Sequence, residues 1–515
     1  MDRVDLILPG GDVAERADAY AAAPLLNCLL REVAQPLAAS GEGERRVYRL
    51  PGSDRLLRVR GGRRPADPEA YADGAWHRVG HTELVKLVAE ELRGYTGLSN
   101  DELPIEMIDS RDAVAALLSA RERATAPGDP YLRSEQSLIT GHPYHPAPKA
   151  RGAGPVAAWL PYAPEAHARF PLALLGVRED QVVEEGDTSA LDALATRDAR
   201  GVPGTVPPGY RLLPAHPWQL DLVARDLAPA FADGRLVRLG TTAFEAWPTA
   251  AVRTLYEPRR DLFLKFSLDV RITNDIRRLW RHDLRKLRRT DAAAAHALAA
   301  FDGPAAWLGD RGYRTAAFAF EELAVLVRDG LRGHLLPGAT PLLAAGLAEG
   351  FEGSPLAATA EPEAWWEAYL GQVVPPALAA FADHGVVLEA HLQNTLVAVD
   401  ASGMPVQALF RDAEGVKLLP DVSREAGWER LVYCLVVNHL SEIAAALAEH
   451  HPGLDPWPAA RRAFARDLAR HDLAEIAALL VSPTLPGKTN LLLRWTGADG
   501  ADARYRPLRN PLAGA

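Results

Sequence analysis

Between positions 248 and 277 the sequence sets Arg253 and Thr254 on one expected strand and Lys265 on the next. Thr273, Asn274 and Arg277 follow where the second strand is expected to run into a helix, with Thr273 or Asn274 as its cap. A helix N-terminus with two arginines and a lysine nearby is chemistry for a triphosphate, because the unpaired N–H groups and the cations all favour anionic oxygens. The competing reading makes Arg277 the start of a solvated basic run, since Arg278, Arg281, Arg285, Lys286, Arg288 and Arg289 follow it.

A second constellation is EAHLQN (389–394), with Asp412 of an Arg-Asp pair eighteen residues after Asn394. On an extended segment Glu389, His391 and Gln393 face one way. Kinase-like phosphotransferases place a metal-binding Asn and, one hairpin later, a metal-binding Asp in that order. Oxygen ligands such as Asn394, Asp412 and Glu389 suit Mg²⁺ bridging phosphates, although the spacing alone also fits a chance match. A third stretch, GHPYHPAPKARGAG (141–154), holds His142, His145, Lys149 and Arg151. Pro143 and Pro146 exclude a helix and with it a helical His pair for a metal. The stiff loop suits phosphate or carboxylate oxygens, or it is an ordinary surface turn. HPWQ (216–219) carries less: a His and a Trp before a helix often just pack.

SPTLPGKTN (482–490) imitates a phosphate-binding loop, but Ser482 stands where the first glycine belongs and the strand-loop-helix order is missing. Lys488 and Arg494 remain as cations near the end of the chain.

The elements that must position these groups follow from periodicity. NCLLREV (27–33) and HTELVKLVAEELRGY (81–95) are predicted helices, the second capped by Thr82 and stopped at Gly94 or Gly97. Between them VYRLPGSDRLLRVRGG (47–62) reads as two strands about a turn. Segments 209–219, 235–256 and 261–273 carry strand patterning, and 428–451 is a helix ending at Pro452-Gly453. At 515 residues two or three domains are expected. The divisions are 1–125, a helical region; 126–300, a β-rich region; and 301–515, a mixed region.

Hydrophobic content of 48%, charged content of 24% and a net charge of −10 describe a globular chain. They argue against a general nucleic-acid binder, whose footprint would be basic. Cys28 and Cys434 are far apart and belong to no CxxC pair, so no cysteine zinc site is written. The start, with Asp2 and Asp5, does not read as a secretory signal. No run approaches the roughly 18 apolar residues of a membrane span, and a cytoplasmic location is expected.

Taken together, EQSLITGHPYHPAPKAR (135–151), YAPE (162–165), HPWQ (216–219), PTAAVRT (248–254), KFSLDVRITNDIR (265–277), EAHLQN (389–394) and RDAEG (411–415) occur in the order seen in NRPS-independent siderophore synthetases of the IucA/IucC type. The resemblance runs from about residue 20 to the C-terminus. It implies an α+β fold likened to a cupped hand, with a helical thumb, antiparallel-sheet fingers and a mixed palm carrying a kinase-like metal loop. It also implies an ATP- and Mg²⁺-dependent ligase. Such an enzyme adenylates one carboxylate of citrate or a related acid, releases pyrophosphate, and passes the acyl group to a freely supplied amine, hydroxylamine or alcohol. The implied catalytic residues are Arg277, His391 and Lys265. ATP and phosphate would fall to His142, His145, Lys149, Arg151, Arg253, Thr254, Lys265, Thr273, Asn274, Gln393 and Asp412. The acyl substrate would fall to His391, Arg277 and Lys488, and the metal to Asn394, Asp412 and Glu389. A homodimer is one assembly compatible with this. The sequence departs from the pattern at Ala251, where a Ser is usual, and at Ala153, where a Gly is expected. The rival readings are a kinase-like phosphotransferase that would release ADP and a non-catalytic paralogue binding citrate or a siderophore.

Overall fold

The structure, a computed structural model, describes residues 12–37, 45–152, 154–194, 196–197, 203–471, 473–498 and 505–513. Asp2, Asp5 and Ala153 lie outside the described residues. Helices and sheets that are antiparallel, except for the parallel pairing of Ala306–Leu308 with Leu409–Arg411, make an α+β fold.

The N-terminal helix Val13–Glu32 is capped by Asp12, whose carboxylate accepts from the Glu15 N–H at 2.9 Å. Its Leu25, Leu26 and Leu29 pack on Leu84, Val88 and Leu92 of His81–Thr96. Burying each such leucine contributes about 1.5–3 kcal/mol. The second helix is not capped by Thr82: Gly80 is the cap, and the Glu83 carboxylate turns back to accept from its N–H at 3.1 Å. Gly97, at φ 72°, ends it as expected.

Where the sequence predicts two strands, five form an antiparallel sheet. Arg45–Leu50 and Arg55–Arg60 are the expected pair; Gln35–Pro36, Ala66–Ala72 and Ala75–Arg78 are additions. Ala66–Ala72 is interrupted by Pro68 and Ala75–Arg78 has only four residues, and apart from Pro68 neither buries a side chain, so they lack the alternation that marks a strand. The signal was the Asp73-Gly74 pair between them: both residues take positive φ, as a two-residue hairpin turn requires.

A ten-stranded sheet forms the centre, antiparallel in its described pairings. Thr254–Glu257 and Leu262–Phe266 are adjacent strands, as the residue pattern predicts, with Thr254 opposite Lys265; Arg253, expected on the first strand, falls just before it. Two of its strands, Asp310–Ala316 and Val325–Asp329, lie beyond residue 300. The next segment departs from expectation. Leu268–Ile272 does not lead into a helix but pairs with Asp275–Arg277 as a hairpin, Thr273 and Asn274 forming its turn. Thr273 sits at φ 61°, unusual for a β-branched residue. The helix begins only at Arg281, and Arg281, Arg285, Lys286, Arg288 and Arg289 on it are exposed. The charges of that helix extend a helical pattern backward through the hairpin, which is why the sequence conceals the turn.

A four-stranded sheet, ordered Ala306–Leu308, Pro405–Arg411, Thr395–Val399 and Thr340–Leu343, rests on the long helix Pro362–His384. That helix buries Trp365, Trp366 and Tyr369, and both indoles find acceptors, in Gly403 O at 3.0 Å and Pro456 O at 2.7 Å. Helical residues then run from Arg424 to His450, with a π-helical stretch at Tyr433–Leu440. By length and hydropathy this helix could span a membrane, but 78% of its apolar window is buried in the protein, as in a core helix.

Candidate active site

The ends of the Thr254 and Lys265 strands, the hairpin turn at Thr273, the 141–151 loop and the two loops before and after Thr395–Arg411 enclose a cavity of about 380 Å³. At its base Lys265 Nζ donates to Asp412 Oδ1 at 2.5 Å and to Glu414 Oε2 at 2.5 Å. Arg328 donates to the same Asp412 oxygen at 2.9 Å while its other bonds go to Asp310. Burial alone would raise the Asp412 carboxyl, but Lys265 and Arg328 outweigh it and hold it well below the usual carboxylate range. Asp412 takes φ 84°, so its backbone is held in a strained conformation that turns the chain out of its strand. Val252, beside Arg253, does the same at φ 64°.

Arg253 donates from Nη1 to the carbonyls of Arg277 and Arg278 at 2.8 and 2.9 Å, tying the hairpin to the 249–254 loop. Arg277 donates from Nη2 to Ile272 O at 2.7 Å and Thr273 Oγ1 at 2.8 Å. It is therefore fixed by the turn it closes, rather than by a helix. Burial, with the neighbouring charge of Arg253, lowers its pKa to about 10.

Four histidines share one local geometry. Nδ1 of His142, His145, His216 and His391 accepts from the backbone N–H two residues on, at 3.0, 3.1, 3.2 and 3.2 Å. The ring proton then belongs on Nε2, leaving a neutral N–H donor. Three of the four precede proline, whose fixed φ favours the turn. Burial lowers His142 to about 3 and depresses His391 as well, so both stay neutral. His142 and His391 line the cavity; His216 packs against Tyr162 and Phe170 and His145 is fully buried, so those two serve the fold.

The EAHLQN loop is not extended. It turns through hydrogen bonds from His391 N to Glu389 O at 2.8 Å and from Asn394 N to His391 O at 3.0 Å. Glu389 accepts from Arg430 at 2.5 Å, and its Oε2 lies 3.9 Å from His391 Nε2. The glycine of RDAEG has a steric reason: a Cβ on Gly415 would lie 1.9 Å from Glu389 Oε2. Lys149 and Arg151 both donate to Glu165, at 2.5 and 2.9 Å.

Thus His142, Lys149, Arg151, Arg253, Thr254, Lys265, Thr273, Arg277, Glu389, His391, Gln393, Asn394 and Asp412 face one cavity. Three predicted residues do not line it. His145 lies behind the wall, Asn274 donates to Asn490 at 3.1 Å, and Lys488 stands beside the cavity, near Asp275, Arg430 and Glu389. Lys488 ends a strand, Thr484–Lys488, so the loop imitation noted above is not a phosphate loop. Sequence reasoning missed Arg328 and Arg430, and noted Glu165 only as the end of YAPE. Arg328 stands at the end of the apolar strand VLVRD, and a charge there that must be buried needs partners, which was the available signal. Arg411, noted only as part of a motif, donates to Gln393 O at 2.9 Å and to Glu135 at 2.7 Å, clamping the EAHLQN loop from behind.

Residues 130–349 match the profile of the IucA / IucC family. That match spans less than half of the chain. Its IucA / IucC segment contains Lys149, Arg151, Arg253, Lys265, Arg277 and Arg328; residues 363–503, with His391 and Asp412, match a second profile, described as "Ferric iron reductase FhuF-like transporter". The chain is 28% identical over 445 residues to the L-2,3-diaminopropanoate–citrate ligase of Staphylococcus aureus, covering 75% of each chain. It is 29% identical over 473 residues to the rhizobactin siderophore biosynthesis protein RhbC of Rhizobium meliloti, covering 78% of this chain and 80% of the relative. In fold it resembles the ATP-bound aerobactin synthetase IucA of Klebsiella pneumoniae, with a TM-score of 0.81 at 23% identity over 96% of this chain and 99% of that one.

Proposed function

We propose that the protein is an ATP-dependent synthetase of siderophore biosynthesis that adenylates citrate or a related carboxylate and condenses it with an amine, hydroxylamine or alcohol. The observation that carries this is the convergence of Arg253, Lys265, Arg277, Arg328 and the neutral donors His142 and His391 on one cavity. In the first step a carboxylate oxygen attacks the α-phosphorus, the bond to the β-phosphate oxygen breaks, and pyrophosphate leaves with the electron pair. Negative charge grows on the equatorial phosphate oxygens, where a fixed guanidinium such as Arg277 and an N–H such as His391 Nε2 lower the barrier most. In the second step the acceptor attacks the acyl carbon, AMP departs, and the attacking nitrogen or oxygen gives up a proton.

Mg²⁺ fits the donor set. Asp412 Oδ2 and the Asn394 amide oxygen would be its hard oxygen ligands on the cavity wall, and Glu389, which lines the same wall, has its Oε1 engaged by Arg430. When bound, the ion would neutralise charge across the phosphates. The kinase-like reading of this loop, the cupped-hand division at residues 125 and 300 and a cytoplasmic setting, where ATP is supplied, belong to the same proposal.

The test is pyrophosphate release screened over citrate, succinyl-hydroxamates and 2-oxoglutarate, each with a panel of amines. Acid-dependent pyrophosphate and AMP are expected. Production of ADP instead would assign a phosphotransferase, and no nucleotide turnover with any acid would leave a binding protein.

A further inference from the structure

Asn490 does not line the cavity, yet its side chain bonds to two of the elements that do. The residue is buried, with 2% of its surface exposed. Its Nδ2 donates to the Tyr144 carbonyl at 2.7 Å, and its Oδ1 accepts from Asn274 Nδ2 at 3.1 Å. The orientation of the amide follows from its partners: a carbonyl can only accept, so the nitrogen faces Tyr144 and the oxygen faces Asn274. Asn274 is the second residue of the hairpin turn whose first residue, Thr273, accepts from Arg277. Tyr144 is the residue whose N–H donates to His142 Nδ1 at 3.0 Å and so sets that ring. One amide therefore stands a single step from the bonds that fix both Arg277 and His142.

Asn490 is itself held from the far side, at the start of the short helix Asn490–Trp495. The Glu32 carboxylate, at the end of the N-terminal helix and fully buried, accepts from the N–H groups of Leu491 and Leu492 at 3.0 and 2.8 Å. Leu491 and Trp495 pack in the same core as Leu25, Leu26 and Leu29, and the Trp495 indole donates to Thr96 Oγ1 at 3.0 Å. Tyr144 has ties of its own, its ring under the Arg31 guanidinium and its hydroxyl donating to Glu442 at 2.8 Å. An amide supplies a donor and an acceptor on one planar group, which a leucine of similar volume would not. Asn490 lies in the segment that matches the second profile, whereas Tyr144 and Asn274 both lie in the first, so the bond pair joins the two segments.

Resting on the synthetase reading above, we infer that Asn490 is a positioning residue for adenylation, which sets the place of the Arg277 guanidinium relative to the His142 ring. Both donors serve one transferring phosphorus, and each is borne by a turn whose internal bonds leave its place relative to the other open. The Asn490 amide joins the two turns. A misplacement near 1 Å, even one caused far from the chemistry, costs about 10²-fold in rate. Because Asn490 acts through other residues, its loss should appear in kcat and leave nucleotide binding nearly intact.

The experiment measures kcat and the ATP KM for acid-dependent pyrophosphate release in Asn490→Ala, Asn274→Ala, their double variant, and Asn490→Ala combined with Arg277→Ala. Asn490→Ala should lower kcat by about 10- to 100-fold with the ATP KM nearly unchanged. Asn274→Ala breaks the same bond from the half-buried turn and should reproduce part of that loss. The double variant should lose no more than Asn490→Ala alone, since both changes remove one link. In the Arg277→Ala background the substitution of Asn490 should cost less than it does alone, because the guanidinium it positions is gone. Should Asn490→Ala fail to fold, Asn274→Ala in the same assay decides. Normal kcat in either single variant, a loss confined to the ATP KM, or full additivity with Arg277→Ala overturns the inference. Absence of acid-dependent pyrophosphate release from the unsubstituted protein sinks the synthetase reading and this one with it. Release by the unsubstituted protein with no loss in the variants sinks only the positioning role.

Discussion

The His439 ring donates from Nδ1 to the carbonyl of Ala390 at 2.8 Å, and so fixes the backbone between Glu389 and His391 from inside the core. The other ring nitrogen, Nε2, accepts from the Tyr369 hydroxyl at 2.5 Å, and both side chains are fully buried. His439 belongs to the π-helical stretch, an irregularity that recurs at functional sites, and here it sets the ring at the height of the loop. Burial lowers its pKa to about 4, so the ring stays neutral and can both donate and accept.

Loss of this tether should let His391 wander. His439→Leu is expected to lower kcat for pyrophosphate release by on the order of 10², the cost of a misplacement near 1 Å. His439→Gln, whose amide can still donate to Ala390, should recover part of the rate. Full turnover in His439→Leu, at unchanged circular dichroism, would remove His439 from the positioning of the loop.

Arg277→Ala and His391→Ala are each expected to cost about 10²–10³ in pyrophosphate release at saturating ATP, as for other preorganised donors. ATP affinity should fall less, because Lys265, Arg253 and Arg328 remain. Near-normal adenylation combined with failed amide formation would move both residues to the second half-reaction.

Activity should require Mg²⁺, and Asp412→Asn should abolish it. The same substitution removes the negative charge that Lys265 and Arg328 share, so stability should also fall, by about 2 kcal/mol. A Mg²⁺ titration of nucleotide binding separates the two effects. Turnover in excess chelator would contradict the metal requirement.

The buried histidines make the fold acid-sensitive. His216 is lowered to about 3 and His439 to about 4, while the unfolded chain takes up a proton near pH 6.5. Because the unfolded state binds more protons between those limits, stability falls as pH drops below 6.5 and continues to fall toward pH 4. Each ring contributes about 1.4 kcal/mol per pH unit in that window. Thermal unfolding should therefore show Tm declining from pH 6.5 to 5. A flat profile would mean that these rings are protonated without cost.

Much of the site could be read in the sequence because its groups are local. His-Pro turns, the Thr254 and Lys265 strands, the Arg411-Asp412 corner and the composition of EAHLQN are short-range facts, set by proline geometry and strand alternation. Tertiary structure decided what those groups meet. Arg277 was legible as a cation but not as the closing residue of a hairpin, since a run of charges looks the same entering a strand or a helix. Arg328, Glu165 and Glu442 lie 84, 16 and 298 residues from the partners they bond, Asp412, Lys149 and Tyr144. No periodicity marks such a partner. The buried charge itself demands one, and only the packing of distant elements determines which residue answers.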